Sequence, residues 1–236
     1  MTVPKHPETA NKLTKYAVVI VGGGHGSRMG TTTPKQFLLL NQKPILMHTI
    51  EAFYHSDLKP YIILVLNIDF HPYWKQLCKQ YHFTIPHQLV KGGNERFHSV
   101  QKGLAMVKDD TIVAIHDAAR PLISNQLITN SFLQAQLHDA VVAATQSTDS
   151  VRQAIDHDMS KAVDRNTIYL VQTPQTFKSA LLKKAYQQAF QLDFTDDASV
   201  VEKYGTPIKL IPGERTNIKI TYPQDILLAE AYLSAH

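Results

Sequence analysis

The 236-residue sequence holds a single cysteine, Cys78, which excludes an internal disulfide framework and any cysteine-based zinc site. A lone cysteine of this kind is expected to fill space on an apolar helix face. Glycine and proline are sparse, at 10 and 12, and charged residues form 19% against 44% apolar, so collagen-like, low-complexity and disordered classes are excluded. No apolar run exceeds six residues, the longest being Tyr16–Val21 and Tyr61–Leu66, whereas a bilayer span needs about 18 to 20. There is no His-Glu-x-x-His and no close histidine pair on one helix face, despite 12 histidines. Internal repeats are also lacking.

Charge is equally uninformative of a polyanionic partner. Of the formal net charge of +4, residues 1–15 carry +2, leaving a body without a basic stripe, so nucleic acid is not an expected partner. Those first residues are polar and lack the apolar stretch and cleavage site of a secretory signal. They read as a loose N-terminal tail on a cytoplasmic protein with no membrane segment. Residues 16–236 are long enough for one large α/β domain.

What is present is alternation. Tyr16–Val21, Tyr61–Leu66, 111–115 and 140–145 are short β-branched or apolar runs of the kind buried on both faces of a parallel sheet. Between them lie helical patterns at 44–55, 72–81, 98–107 and 123–137, the last with Ser124 as N-cap, followed later by helices at 179–190, from Asp196 or Asp197, and at 223–233. The expected fold is α/β, three-layered, with a mostly parallel sheet of dinucleotide-binding-like nucleotidyltransferase type. At 146–170 the pattern turns polar and alternating, too charged to bury itself, and reads as a protruding β-arm.

The first strand opens into Val21-Gly-Gly-Gly-His-Gly-Ser-Arg-Met-Gly30, a place where glycine backbones can approach phosphates. An ATPase-type loop would need Lys after the glycines, and a dinucleotide fingerprint would need glycine at Met29 or Ser27, so both classes fail. No tyrosine has Lys four residues later, which removes short-chain dehydrogenases. What remains is a glycine loop with two cations, Arg28 and Lys35, suited to a triphosphate whose charge grows during displacement.

This loop and its Pro34-Lys-Gln-Phe37 continuation resemble the signature of nucleotidylyltransferases that join a nucleoside triphosphate to a sugar phosphate. Downstream, GGNERFHSV, HDAARP, VDRN, QTPQTF, TDDASVVE and NIKIT follow in the order of one branch, the 2-C-methyl-D-erythritol 4-phosphate cytidylyltransferases of the non-mevalonate isoprenoid pathway. The resemblance runs from about Tyr16 to the C-terminus. It implies transfer of a cytidylyl group from CTP to 2-C-methyl-D-erythritol 4-phosphate, with Mg²⁺ or another divalent cation. It further implies a homodimer in which the arm completes the neighbour's acceptor site.

Carried over residue by residue, the resemblance makes Arg28, Lys35 and Lys219 catalytic cations. Gly22, Gly23, Gly24 and Gly26, with Gly92, Gly93, Asn94 and Ser99, would bind the nucleotide. Asp117, Arg120, Ser150, Arg165 and Thr173 would bind the acceptor, and Asp117 would also hold the metal. Arg120 could instead pair with a nearby Asp, and Arg96 could simply brace its loop. Asn94 stands where the family more often has Asp, and Gly22-Gly23 where it commonly has Ala-Ala, neither of which removes a backbone donor. Ribitol 5-phosphate cytidylyltransferases share the glycine loop, but typically read HDSVRP and Arg-Asp where this chain has HDAARP and Asp164-Arg165. A non-catalytic nucleotide-binding protein is the alternative of another class, although such a relic would have lost some of Arg28, Lys35, Asp117 or Lys219.

Overall fold

The computed structural model describes residues 15–23 and 33–234. Gly24, Gly26 and Arg28 of the expected site, and nearly all of the N-terminal tail, therefore lie outside the described residues. In chain order the elements are β1 (Tyr16–Val21), β2 (Leu39–Leu40), β3 (Lys43–Pro44), α1 (Ile45–Tyr54), β4 (Tyr61–Leu66), α2 (His71–Gln80), β5 (Gln88–Lys91), α3 (Arg96–Leu104) and β6 (Ile112–Asp117). They continue with α4 (Asn125–His138), β7 (Ala140–Gln146), β8 (Val151–Ala154), β9 (Ser160–Val163), β10 (Tyr169–Lys178), α5 (Ser179–Ala185), α6 (Asp197–Lys203), β11 (Lys209–Pro212) and α7 (Pro223–Ser234).

Seven strands form one sheet in the order β11-β7-β10-β6-β1-β4-β5. All are parallel except β10, which runs against both β6 and β7. The two-residue side-chain period explains the three layers. Val18, Ile20, Leu64 and Ala114 face α1, α2 and α4, while Ala17, Val19, Val65 and Val113 face α3, α5 and α6. Each fully buried Val, Leu or Ile contributes about 1.5–3 kcal/mol by its removal from water. Helix α3 comes unusually close: a Cβ on Gly103 would stand 2.4 Å from Val19 Cγ1. That approach packs the last turn of α3 directly onto β1 and β4. A third cluster of Leu40, Ile45, Ala119, Ile220 and Ala229 docks α7.

The mostly parallel sheet agrees with the sequence, and β10 adds to it an antiparallel strand that the sequence does not foretell. The polar Gln172-Thr-Pro-Gln175, to which the sequence assigns no strand or helix, crosses the middle of the sheet with a register shift between Val171 and Gln175. Buried Gln172, Thr173 and Gln175 are tolerated there because side-chain and backbone partners satisfy them. The expected 111–115 strand extends to Asp117, and the helix expected to reach 190 ends at Ala185. The NIKIT segment is irregular. Between β7 and β10, strands β8 and β9 pair, among the described residues, only with each other, Val151 opposite Val163, in a hairpin whose Ile155 and Met159 are exposed.

Candidate active site

A cavity of about 700 Å³ opens at the C-terminal ends of β1, β4, β5 and β6, the edge where α/β sheets bind ligands. Four loops are stitched together to make it. Gly22 N–H donates to Val65 O at 2.9 Å, and Gln36 Nε2 donates to Gly22 O at 2.8 Å, tying the Pro-Lys-Gln-Phe segment to the glycine loop. Gly92 N–H donates to Leu66 O at 2.7 Å, and Gly93 N–H to Ser99 Oγ at 3.0 Å. Gly93 packs so tightly on His98 that a Cβ would lie 2.4 Å from that residue's Cβ.

Of the expected residues, Gly22, Gly23, Lys35, Gly92, Gly93, Asn94, Ser99, Asp117 and Lys219 line this cavity. Thr173 and Arg120 stand behind it. Ser150 lies just before β8, and Arg165 just after β9 donates to Thr148 O at 2.9 Å; neither faces the cavity of its own chain.

Asp117, the last residue of β6, is the electrostatic centre. Its Oδ2 is 2.9 Å from Lys219 Nζ and 3.4 Å from Arg120 Nε, and its Oδ1 is 3.9 Å from Arg96 Nε. Burial alone would push this carboxyl up, but Lys219, Arg96 and Arg120 hold it well below the usual carboxylate range. Arg96 is anchored further back on Asp197, at 2.6 Å, and the same carboxylate accepts from Tyr186 OH at 2.6 Å. Burial opposes the Arg96 charge, yet Asp197 and Asp117 overcome it and raise its pKa. Arg120 pairs with Asp117, and Arg96 braces a buried network instead of only its loop.

Behind Asp117 sits His116, fully buried, whose pKa falls to about 4 through burial. Its Nε2 lies 3.1 Å from Arg120 O, which only a ring N–H can satisfy, so Nδ1 is the bare nitrogen and accepts from Thr173 Oγ1 at 3.2 Å. Thr173 Oγ1 in turn accepts from Asp117 N–H at 3.0 Å. Thr173 was expected to touch substrate; here its hydroxyl is spent on fixing the end of β6.

For a divalent cation the donor set is specific in one respect. Among the described residues no group of three or more His, Cys, Asp or Glu could form a protein-only cage. Asp196 caps α6 and accepts from Gln175, and Asp197 is committed to Arg96 and Tyr186, so neither supplies a second carboxylate. A single carboxylate, with Oδ1 only distantly approached by Arg96, fits Mg²⁺ shared with ligand phosphates, the usual mode for that ion.

With this geometry in place, comparison with known proteins is decisive. The family model for 2-C-methyl-D-erythritol 4-phosphate cytidylyltransferase matches residues 16–235. The chain belongs to that family. It is 51% identical over 221 residues to the protein of that name from Azobacteroides pseudotrichonymphae, covering 93% of this chain and 98% of the relative. Identity to the Phocaeicola vulgatus protein of that name is 48% over 216 residues, covering 92% and 98%. Among solved structures, the Anaerococcus prevotii 4-diphosphocytidyl-2C-methyl-D-erythritol synthase superposes with a TM-score of 0.78 at 28% identity, over 93% of this chain and 96% of that one. The Thermus thermophilus enzyme gives 0.72 at 29%, over 92% and 98%. For a member of this family, sequence reasoning missed Gln36, Asp197, Gln172 and Asn217. Each lies inside a motif already noted, but its role depends on a partner far along the chain.

Proposed function

We propose that the chain transfers a cytidylyl group from CTP to 2-C-methyl-D-erythritol 4-phosphate, releasing pyrophosphate and forming 4-diphosphocytidyl-2-C-methyl-D-erythritol for isoprenoid synthesis in the cytoplasm. The observation that carries this reading is the juxtaposition of Lys35, Asp117 and Lys219 around one cavity closed on its nucleotide side by the Gly92–Ser99 loop. The acceptor's phosphate oxygen attacks the α-phosphorus of CTP while the bond to the bridging oxygen of pyrophosphate breaks in line. A phosphate monoester with a second pKa near 6 is largely dianionic at neutral pH, so the attack needs no general base. The neutral, buried His116 is accordingly structural.

The difficulty is bringing two anions together and stabilising the charge that develops, which falls to Lys35, Lys219 and Arg28. Gly22, Gly23, Gly24 and Gly26 present backbone to the triphosphate; Gly92, Gly93, Asn94 and Ser99 hold the cytidine side. Asp117 is the residue that would hold Mg²⁺, whose contribution when bound is neutralising phosphate charge. Arg120 recognises the acceptor phosphate, with Thr173 holding the floor beneath it. Ser150 and Arg165 complete the acceptor site of a second copy, so the working unit is a homodimer joined through the arm.

The test is pyrophosphate release by the full chain with CTP and Mg²⁺, comparing 2-C-methyl-D-erythritol 4-phosphate with ribitol 5-phosphate. Release with the first alone is expected. Release with ribitol 5-phosphate instead would overturn the acceptor assignment, and silence with both would revive a non-catalytic nucleotide-binding role.

A further inference from the structure

We propose that Gln172 and Asn217 act as a positioning pair that sets Arg120 and Lys219 on the Asp117 carboxylate. The proposal rests on the reading above, in which those two cations serve the acceptor phosphate and the developing charge. Neither amide lines the cavity. Gln172 is in the irregular stretch of β10, and Asn217, fully buried, opens the segment that carries Lys219.

The bonds converge on one purpose. Asn217 Nδ2 donates to Thr173 O at 2.9 Å and to Gln172 Oε1 at 3.3 Å, fastening the segment to β10. Gln172 Oε1 also accepts from Glu214 N–H at 3.2 Å, and its Nε2 donates to Glu214 O at 2.8 Å, so one amide grips both backbone groups of the preceding turn. Room for that amide exists only because residue 213 is glycine, whose Cβ would stand 2.6 Å from Gln172 Oε1. The main-chain oxygen of Asn217 then accepts from Arg120 Nη1 at 2.8 Å. Three residues on, Ile220 N–H donates to Ala119 O at 2.8 Å with its side chain fully buried. Lys219 is thereby suspended between two fixed points, with Nζ 2.9 Å from Asp117 Oδ2.

Stability alone does not call for this arrangement. Asn217 Oδ1 is buried with no partner among the described residues, and an unpaired buried acceptor is destabilising. An amide at this position gains its use from what it holds: Arg120 through its carbonyl, and Lys219 through the segment it starts.

The experiment uses the full chain as wild type, Asn217→Ala, Gln172→Ala and the double variant. Turnover, KM for CTP and for the acceptor, CTP affinity by calorimetry, and Tm are measured on each. Each single variant is expected to lose about 10- to 100-fold in kcat/KM for the acceptor, the scale of a displacement of about 1 Å at reacting groups, through lower kcat and higher acceptor KM. CTP affinity should stay within about threefold. Because the two amides form one device, the double variant should be no more than about threefold worse than the worse single one. Near wild-type kcat and acceptor KM, whatever the Tm, would overturn the proposal, as would a parallel loss of CTP affinity or losses that multiply. If Asn217→Ala does not fold, Gln172→Ala carries the same test by the same kcat, acceptor KM and CTP-affinity readouts. A wild-type chain silent with CTP and both acceptors would overturn the functional reading itself, an outcome distinct from active wild type with unaffected variants.

Discussion

In the cavity, Asp117 is nearly enclosed and meets Lys219, Arg120 and Arg96 within 3.9 Å. In the β8–β9 hairpin, Arg152 bonds Ser160 across an exposed ribbon, and the Arg165 guanidinium just beyond it donates to the backbone oxygen of Thr148. Both regions supply residues to the same expected reaction, yet their physics differs. The cavity charges are held in place by folding, so little reorganisation is left for the moment of reaction. A two-stranded ribbon is marginal by itself in water, and this one leaves Ile155 and Met159 exposed. The contrast is between charges preorganised by burial in the cavity and, under the proposed function, arm residues carried on an exposed hairpin.

Removing a cavity cation is the harshest way to sharpen that contrast. Lys35→Ala is expected to lower kcat by about 10²- to 10³-fold, as for loss of one preorganised charge-stabilising donor, and Lys219→Ala by a similar factor. Tm should move by only a few degrees, since both side chains face the cavity. Steady-state pyrophosphate release and thermal unfolding check this; near wild-type turnover in Lys35→Ala would remove the residue from the machinery.

Protonation separates the regions next. His116 is about 4 when folded and about 6.5 when unfolded, so the unfolded chain takes up the proton first. The stability this residue allows is therefore complete above about pH 6.5 and lost as pH falls toward 4, at about 1.4 kcal/mol per pH unit. Between pH 6.5 and 5 the wild type should lose about 2 kcal/mol more than His116→Asn in denaturant titrations. His48 and His87 are also lowered by burial, which is why the comparison needs the variant and not the wild type alone. Identical pH slopes would show that the ring is not held neutral.

The hairpin gives a smaller kinetic effect of a different kind. Arg165→Ala should raise acceptor KM about 10-fold, leave CTP affinity unchanged and barely alter Tm. If the arm works in trans, mixing Arg165→Ala with Lys35→Ala should yield activity that neither has alone. A kcat loss as deep as that of Lys35→Ala, with no recovery on mixing, would break the proposed division of labour.

Much of the cavity was legible in the sequence because its parts lie in compact motifs. Tyr16–Val21 could only be a buried strand, and the residue ending a later strand, Asp117, falls on the ligand-binding edge of any such sheet. What could not be read were pairings across long stretches of chain: Gln172 meets Asn217 45 residues away, and Arg96 meets Asp197 101 residues away. A glutamine or asparagine has no pattern that names its partner. For the same reason β10 was hidden, since its polar centre looks solvent-exposed until the groups that satisfy it are placed. Charges in the hairpin were equally visible, but a solvated charge in an exposed ribbon carries no pattern that names what it serves.

The gentlest test concerns the two glycines at the end of β1. Among the described residues a Cβ on Gly23 would meet only Ser99 Oγ, at 3.5 Å, and no left-handed backbone angle demands glycine there. Gly23→Ala should therefore stabilise the chain by about 0.4–1 kcal/mol through a less disordered unfolded state. A Cβ on Gly22 would stand 2.8 Å from Leu66 Cδ2 and 3.0 Å from Ala118 Cβ. Gly22→Ala must push the Leu66 side chain aside, which offsets the same entropic gain and leaves it neutral or destabilising by about 1 kcal/mol. The two substitutions are adjacent and chemically identical, so denaturant midpoints measured side by side separate backbone entropy from packing at the cavity wall. Equal stabilisation by both would mean that Leu66 yields readily and that this part of the cavity is less rigidly built than the Asp117 cluster beside it.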